Sequence, residues 1–213
     1  MTYNTYIFDL DGTLLNTLYD LAVSVNYAMD ACSMPRRTIE EVRQFVGNGV
    51  KRLMELSVPD GENNARFNEA FSTFKAHYSN HFLDNTRPYD GVVDVMRELR
   101  KNGKRIAVVS NKFYTATQQL CRHFFGNNVE VAIGENKSIR RKPAPDTVIE
   151  ALRQLGTDRN GAVYIGDSDV DLATAKAANI PCISVLWGFR DKDFLLSHGA
   201  TTFVAIPAEI LTL

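Results

Sequence analysis

Residues 6–13 read YIFDLDGT, an apolar run of aromatic and β-branched side chains that ends in two aspartates, a glycine and a threonine. A run of this length bounded by polar residues suits a buried strand, and the glycine lets the chain turn immediately after it. Similar runs recur later: RIAVVS at 105–110, VEVAI at 129–133, AVYIG at 162–166 and CISVL at 182–186. Between them lie segments with helical spacing that begin at residues 91, 115, 145 and 171. Three of these meet a glycine near the end (Gly103, Gly126, Gly156), as a helix stop does. Strands alternating with helices imply right-handed crossovers, and so a doubly wound, mainly parallel α/β sheet covered on both faces.

Residues 17–84 break the alternation. Leu18, Leu21, Ala22, Val25, Met29 and Cys32 keep a three- or four-residue spacing, and Thr38 with Glu41 makes a capping-box pair ahead of Val42. ENNARFNEAFSTFKAHYSNHF, at 62–82, supplies another amphipathic pattern. The expected organisation is an α/β core of residues 1–15 and 86–213, with an inserted helical domain of residues 16–85.

Composition narrows the function classes. With 45% hydrophobic and 23% charged residues in 213, the chain has the make-up of an ordinary folded protein. Its 24 Lys and Arg against 25 Asp and Glu give a net charge of -1, which offers no electrostatic case for nucleic acid or an anionic membrane. An anionic ligand must therefore be held by a local site. The start MTYNT lacks the pattern of a secretory signal, and three dispersed cysteines argue against a disulfide framework or a zinc site. A reducing cytoplasm is the expected compartment, and a monomer or homodimer the expected state.

In open parallel sheets, ligands bind outside the carboxyl ends of the strands, so the polar residues that follow each apolar run are the candidates. They are Asp9, Asp11, Gly12 and Thr13; Ser110, Asn111 and Lys112; and Gly166, Asp167, Ser168, Asp169 and Asp171, with RRKPAPD around Lys142 lying between the last two groups. Two carboxylates one residue apart on an extended strand point to opposite faces. Asp9 and Asp11 can thus share a site only if the chain turns at Gly12. Taken singly, each cluster has a structural reading: Asp-Gly after a strand makes turns, Ser-Asn caps helices, and Lys-Pro forms loops.

Together, FDLDGTLLNT, VVSNK, RKPAPD and IGDSDVD, in that order and at these separations, resemble the four motifs of the haloacid dehalogenase-like hydrolases. QFVGNGVKRLMEL, VLWGFR and the ending HGATTFVAIPAEIL are similar to the phosphoglycolate phosphatase-like branch, whose helical C1 cap falls where the insertion lies. The resemblance implies that Asp9 attacks phosphorus and forms an aspartyl-phosphate. Asp11 then serves as general acid to the leaving alkoxide and as general base to the hydrolytic water. It also implies phosphate contacts from Thr13, Ser110, Asn111 and Lys142, and Mg²⁺ held by the Asp9 carboxylate, the Asp11 carbonyl and the Asp167 carboxylate. Asp171 either orients a metal-bound water or pairs with Lys142.

In the insertion, Gly47, Asn48 and Gly49 either present backbone amides to a substrate carboxylate, with Lys51 or Arg52 adding charge, or simply break a helix. Trp187, Phe189 and Arg190 either line the mouth of the site or pack at a strand end. Where the family often has Asp after DGTLL, this chain has Asn16, at the entry to the insertion. The expected function is Mg²⁺-dependent hydrolysis of a small phosphorylated metabolite such as 2-phosphoglycolate. A sugar phosphomutase of the same superfamily, or a catalytically silent regulatory member, is the alternative.

Overall fold

The computed structural model describes residues 3–213. The strands, in chain order, are β1 (Thr5–Phe8), β2 (Leu15–Asn16), β3 (Arg87–Pro88), β4 (Arg105–Phe113), β5 (Val131–Glu135), β6 (Ala162–Gly166), β7 (Cys182–Val185) and β8 (Phe203–Val204). The helices are α1 (Leu18–Ala31), α2 (Ile39–Phe45), α3 (Gly49–Ser57), α4 (Phe67–His81), α5 (Val92–Lys101), α6 (Tyr114–Phe125), α7 (Asp146–Leu155), α8 (Asp169–Ala178) and α9 (Lys192–Ser197). None is long and apolar enough to cross a membrane.

The chain divides into two compact units, one running through Leu15 and resuming at Pro88–Leu213, the other Asn16–Arg87. The first is built on a six-stranded sheet in the order β5-β4-β1-β6-β7-β8, every pairing parallel. This is the doubly wound α/β sheet expected from the alternation of elements. The chain leaves β1 to build one side through β4 and β5, and returns to build the other through β6, β7 and β8. The carboxyl end of β1 is therefore the point where strand order reverses, and there the crossovers diverge and open a crevice.

Alternate residues of the central strands fill the two faces. Ile7, Ala107, Val109, Ala162 and Tyr164 pack with Val148, Ala151, Leu152 and Leu155 of α7 and Ala175 and Ala178 of α8. On the other face Phe8 and Ile165 meet Val92, Val95 and Met96 of α5 with Pro207 and Ile210. These side chains are almost wholly buried. At about 1.5–3 kcal/mol for each large apolar side chain, their burial is the main term holding the sheet together.

β4 runs past the expected Ser110 to Phe113, and its pairing with β5 shifts between Val109 and Phe113. Ser110, Asn111 and Lys112 lie in that irregular stretch and are all buried. Their polarity marks a site rather than a loop. β5 starts at Val131 instead of Val129, and the residue before it, Glu130, turns its carboxylate to Arg100 and Arg105. β8 and α9, two and six residues long, were not expected, because elements that short carry no readable periodicity.

The second unit is four helices, α1 to α4. The anticipated capping box opens α2: Glu41 N donates to Thr38 Oγ1, and Thr38 N donates to Glu41 Oε2 at 2.7 Å. α4 begins at Phe67, after a short turn at Gly61–Asn63. Asp20, buried in the first turn of α1, ties the two ends of this unit together. Its carboxylate accepts from Asn85 N (2.9 and 3.0 Å), Asn85 Nδ2 (3.0 Å), Thr86 N (2.8 Å) and Thr86 Oγ1 (2.8 Å). Asp20→Ala strands the buried Thr86 N–H and hydroxyl without an acceptor, at a cost of roughly 2–4 kcal/mol, and is expected to lower the melting temperature by roughly 5–10 °C. Thermal denaturation followed by circular dichroism checks this; an unchanged melting temperature contradicts the clamp.

Candidate active site

The turn after β1 is closed by backbone hydrogen bonds: Leu14 N and Leu15 N both donate to Leu10 O, and Gly12 N donates to Leu15 O at 2.9 Å. Gly12 has φ +86°, and a Cβ there would lie 2.3 Å from Asp167 Oδ2. Only glycine fits, on both counts. Gly188 is constrained in the same way from the other side, since its Cβ would lie 2.2 Å from that of Asp167. Asp167 is thus walled in by two backbone segments with no side chains between.

Lys142, fully buried, is the hub of the site. Its ammonium donates to Asp9 Oδ1 at 2.8 Å, Asp171 Oδ1 at 2.7 Å and the Tyr164 hydroxyl at 3.0 Å. Those contacts use its three protons, so any contact with an incoming anion requires one of them to be exchanged. Burial pulls the lysine's pKa down, but Asp171 and Asp9 more than offset this and hold it above the usual range. It is a permanent cation.

Asp171 is saturated. Oδ1 accepts from Lys142 and from Tyr164 OH (2.9 Å), while Oδ2 accepts from Asp167 N (3.1 Å), Ser168 N (3.1 Å) and Ser168 Oγ (2.6 Å). Of the two roles open to it from sequence, pairing with Lys142 is the one its hydrogen bonds serve. The same bonds form the capping box that starts α8.

Asp9 and Asp167 are less committed. Asp9 Oδ2 takes no hydrogen bond from the described residues, and each Asp167 oxygen takes one, from Thr13 Oγ1 (3.0 Å) and from Phe189 N (2.8 Å). Burial, then the nearby Asp171, raises Asp9 well above the ordinary carboxylate range against the pull of Lys142. Asp167 is pushed up to about 7 by burial and by Asp171, with Phe189 N and Thr13 opposing. Carboxylate oxygens of Asp9, Asp167 and Asp171 lie within 4.8 Å of one another. Two buried carboxylates with unused lone pairs side by side form a donor set suited to a hard divalent cation.

The other expected residues converge on the same strand ends. Ser110 Oγ accepts from Lys112 N at 3.2 Å, leaving its own proton to donate. Asn111 Nδ2 donates to the carbonyl of Lys142 at 3.1 Å and braces that loop. Thr13 spends its hydroxyl on Asp167. Asp11 Oδ1 meets Lys112 Nζ at 2.8 Å. Trp187 donates its indole N–H to Thr13 O at 2.9 Å, and Phe189 is buried, so the segment after β7 supports the turn and grips Asp167.

Lys112 was among the polar candidates after β4 but was given no role from sequence, and Tyr164, inside the AVYIG run, was not singled out. The signal in each case is a polar head placed where an apolar residue suffices. In the helical unit, Gly47 (φ +125°) and Gly49 (φ +78°) turn the chain between α2 and α3. Lys51 pairs with Glu62 and Glu55, and Arg52 with Glu55 at 3.0 Å.

The sequence profile of the haloacid dehalogenase-like hydrolases matches residues 6–185, a span that includes Asp9, Asp11, Ser110, Lys142, Asp167 and Asp171. The chain belongs to the haloacid dehalogenase-like hydrolases. Among curated relatives, a protein named phosphoglycolate phosphatase of Mesorhizobium japonicum is 31% identical, the match covering 96% of this chain and 93% of that protein. Phosphoglycolate phosphatase 1 of Pseudomonas aeruginosa is 30% identical over 96% of this chain and 77% of its own length. A crystal structure from Lactobacillus delbrueckii subsp. bulgaricus superposes with a TM-score of 0.94 at 36% identity, covering 99% of this chain and 98% of that one. The haloacid dehalogenase-like assignment accounts for the sheet, and the site sits where the order of its strands reverses.

Proposed function

We propose that this hydrolase cleaves small phosphate monoesters by way of a covalent aspartyl-phosphate, with 2-phosphoglycolate the leading substrate. The reading rests above all on Asp9: a buried carboxylate bound on one oxygen to a permanent cation, with the other oxygen unused. The relatives named as phosphoglycolate phosphatases supply the substrate class.

In the first half-reaction, an Asp9 oxygen bonds to phosphorus as the ester P–O bond breaks, and the alkoxide takes a proton from Asp11. In the second, Asp11 takes a proton from water as that oxygen bonds to phosphorus, and the bond to Asp9 breaks to release inorganic phosphate. Ser110 donates to a phosphoryl oxygen, Asn111 contributes its backbone N–H and holds the Lys142 loop, and Lys142 balances charge between nucleophile and phosphate. Thr13 orients Asp167. Mg²⁺ fits the Asp9 and Asp167 carboxylates, together with the Asp11 carbonyl, and when bound supplies the positive charge that lets an anionic ester approach an anionic nucleophile. The helical unit, residues 16–85 in the division read from sequence, is proposed as the cap that selects the leaving group. Gly47, Asn48, Gly49 and Arg52 are its candidate specificity residues.

Purified protein with Mg²⁺ is expected to release phosphate from 2-phosphoglycolate within a panel of small phosphate esters; no release from any of them overturns the reading. The metal site adds a pH signature. Asp167 titrates near 7 in the metal-free fold, above its ordinary range. A raised carboxyl contributes stability that is fully present below the ordinary range and is lost as pH rises through about 7. A divalent cation requires both carboxylates ionised, so its affinity moves the opposite way and strengthens as pH rises through about 7. The rise in melting temperature produced by Mg²⁺ is expected to be larger at about pH 8 than at about pH 5.5. Equal shifts at both pH values contradict the assignment.

A further inference from the structure

Lys112 has no part in the chemistry above, yet it places a second ammonium in the site. Its side chain is 1% exposed, while that of its partner Asp11 is 15% exposed, with 2.8 Å between Nζ and Oδ1. Burying an ammonium costs several kcal/mol, and an apolar side chain of similar volume would pack in β4 without that cost. The cation is also the buried member of the pair. It reaches outward to a carboxylate at the edge of the crevice, which is the arrangement for fixing that carboxylate rather than for neutralising a charge in the core. Asp11 Oδ1 is thereby occupied, and Oδ2 has no hydrogen-bond donor among the described residues.

Resting on the hydrolase reading, we propose that Lys112 is the positioning residue of Asp11: by holding Oδ1 it sets the carboxyl rotamer and leaves Oδ2 as the atom that passes the proton. A general acid works only within hydrogen-bond reach of the ester oxygen, so a carboxyl free to rotate forfeits much of its effect. The consequence depends on the leaving group. An alkoxide leaves poorly without a proton, whereas p-nitrophenolate leaves readily as the anion.

Single-turnover phosphoryl transfer with Mg²⁺ reads this out. Lys112→Met is expected to slow transfer from 2-phosphoglycolate by about 10- to 100-fold, less than the roughly 10²–10⁴-fold of a whole general acid because Asp11 itself remains, and transfer from p-nitrophenyl phosphate by less than about threefold. Transfer from the aryl ester in the same preparation shows that the variant is folded and loaded; if Lys112→Met does not fold, Lys112→Gln carries the same expectation. Adding Lys112→Met to Asp11→Asn is expected to cost nothing further with the alkyl ester, since the two act as one unit. Equal losses on both esters, no loss on either, or additive losses in the double variant overturn the proposal. A wild-type protein that transfers phosphoryl from neither ester overturns the hydrolase reading, and this inference with it.

Discussion

Asp9→Asn is expected to reduce phosphate release by at least about 10⁴-fold, to the limit of detection, while the protein remains folded. The amide has nearly the same shape and can still accept from Lys142 at the position where Oδ1 now sits at 2.8 Å. It has no anionic oxygen to attack phosphorus. Its effect on stability should be small and favourable in the metal-free protein, because burial and Asp171 make the ionised form of Asp9 costly. Phosphate release and thermal denaturation on the same preparation check both halves. Retained turnover removes Asp9 from the nucleophile's role.

Lys142→Met is expected to damage fold and activity together. The thioether fills the volume but withdraws the cation shared by Asp9 and Asp171, and leaves the Tyr164 hydroxyl without its donor. Breaking a buried pair by removing one partner costs about 3–5 kcal/mol, since the remaining charge stays buried and uncompensated. The sign of the pH dependence follows from Asp9. Its folded-state pKa is already raised, and loss of Lys142, which lowers it, raises it further. The destabilisation should therefore be largest at alkaline pH and shrink on acidification as Asp9 takes up a proton. Turnover should fall by about 10²–10³-fold, as when a single preorganised donor is deleted from a water-excluded site. Chemical denaturation at a series of pH values, alongside phosphate release, separates the two effects. A pH-independent stability loss contradicts this electrostatic account.

The sheet was legible because its strands are buried on both faces and so read as continuous apolar runs: YIF opens the chain, and RIAVV and VYI each stand between helices with a clear period. The crevice was legible for the same reason, since polar residues at the ends of such runs have few other reasons to cluster. What sequence could not supply was distance. Asp20 looks like an ordinary acid in the first turn of a helix until Asn85 and Thr86, some 65 residues on, are seen to donate to it. Lys112 stood among the polar candidates after β4 without a partner, and only the extension of β4 to Phe113 shows it buried opposite Asp11. Tyr164 sits in an apolar strand, where its ring satisfies the pattern and its hydroxyl goes unnoticed. Its link to Lys142 depends on the RRKPAPD loop folding back over β6, a long-range event with no local signature.

The most direct test traps the covalent intermediate. Protein incubated with 2-phosphoglycolate and Mg²⁺, quenched and reduced with borohydride, converts an acyl-phosphate to an alcohol, which turns an aspartate into homoserine. Peptide mass spectrometry should find homoserine at position 9, and only when both substrate and Mg²⁺ are present. Homoserine at another aspartate, or none at position 9 while turnover proceeds, would contradict Asp9 as the nucleophile.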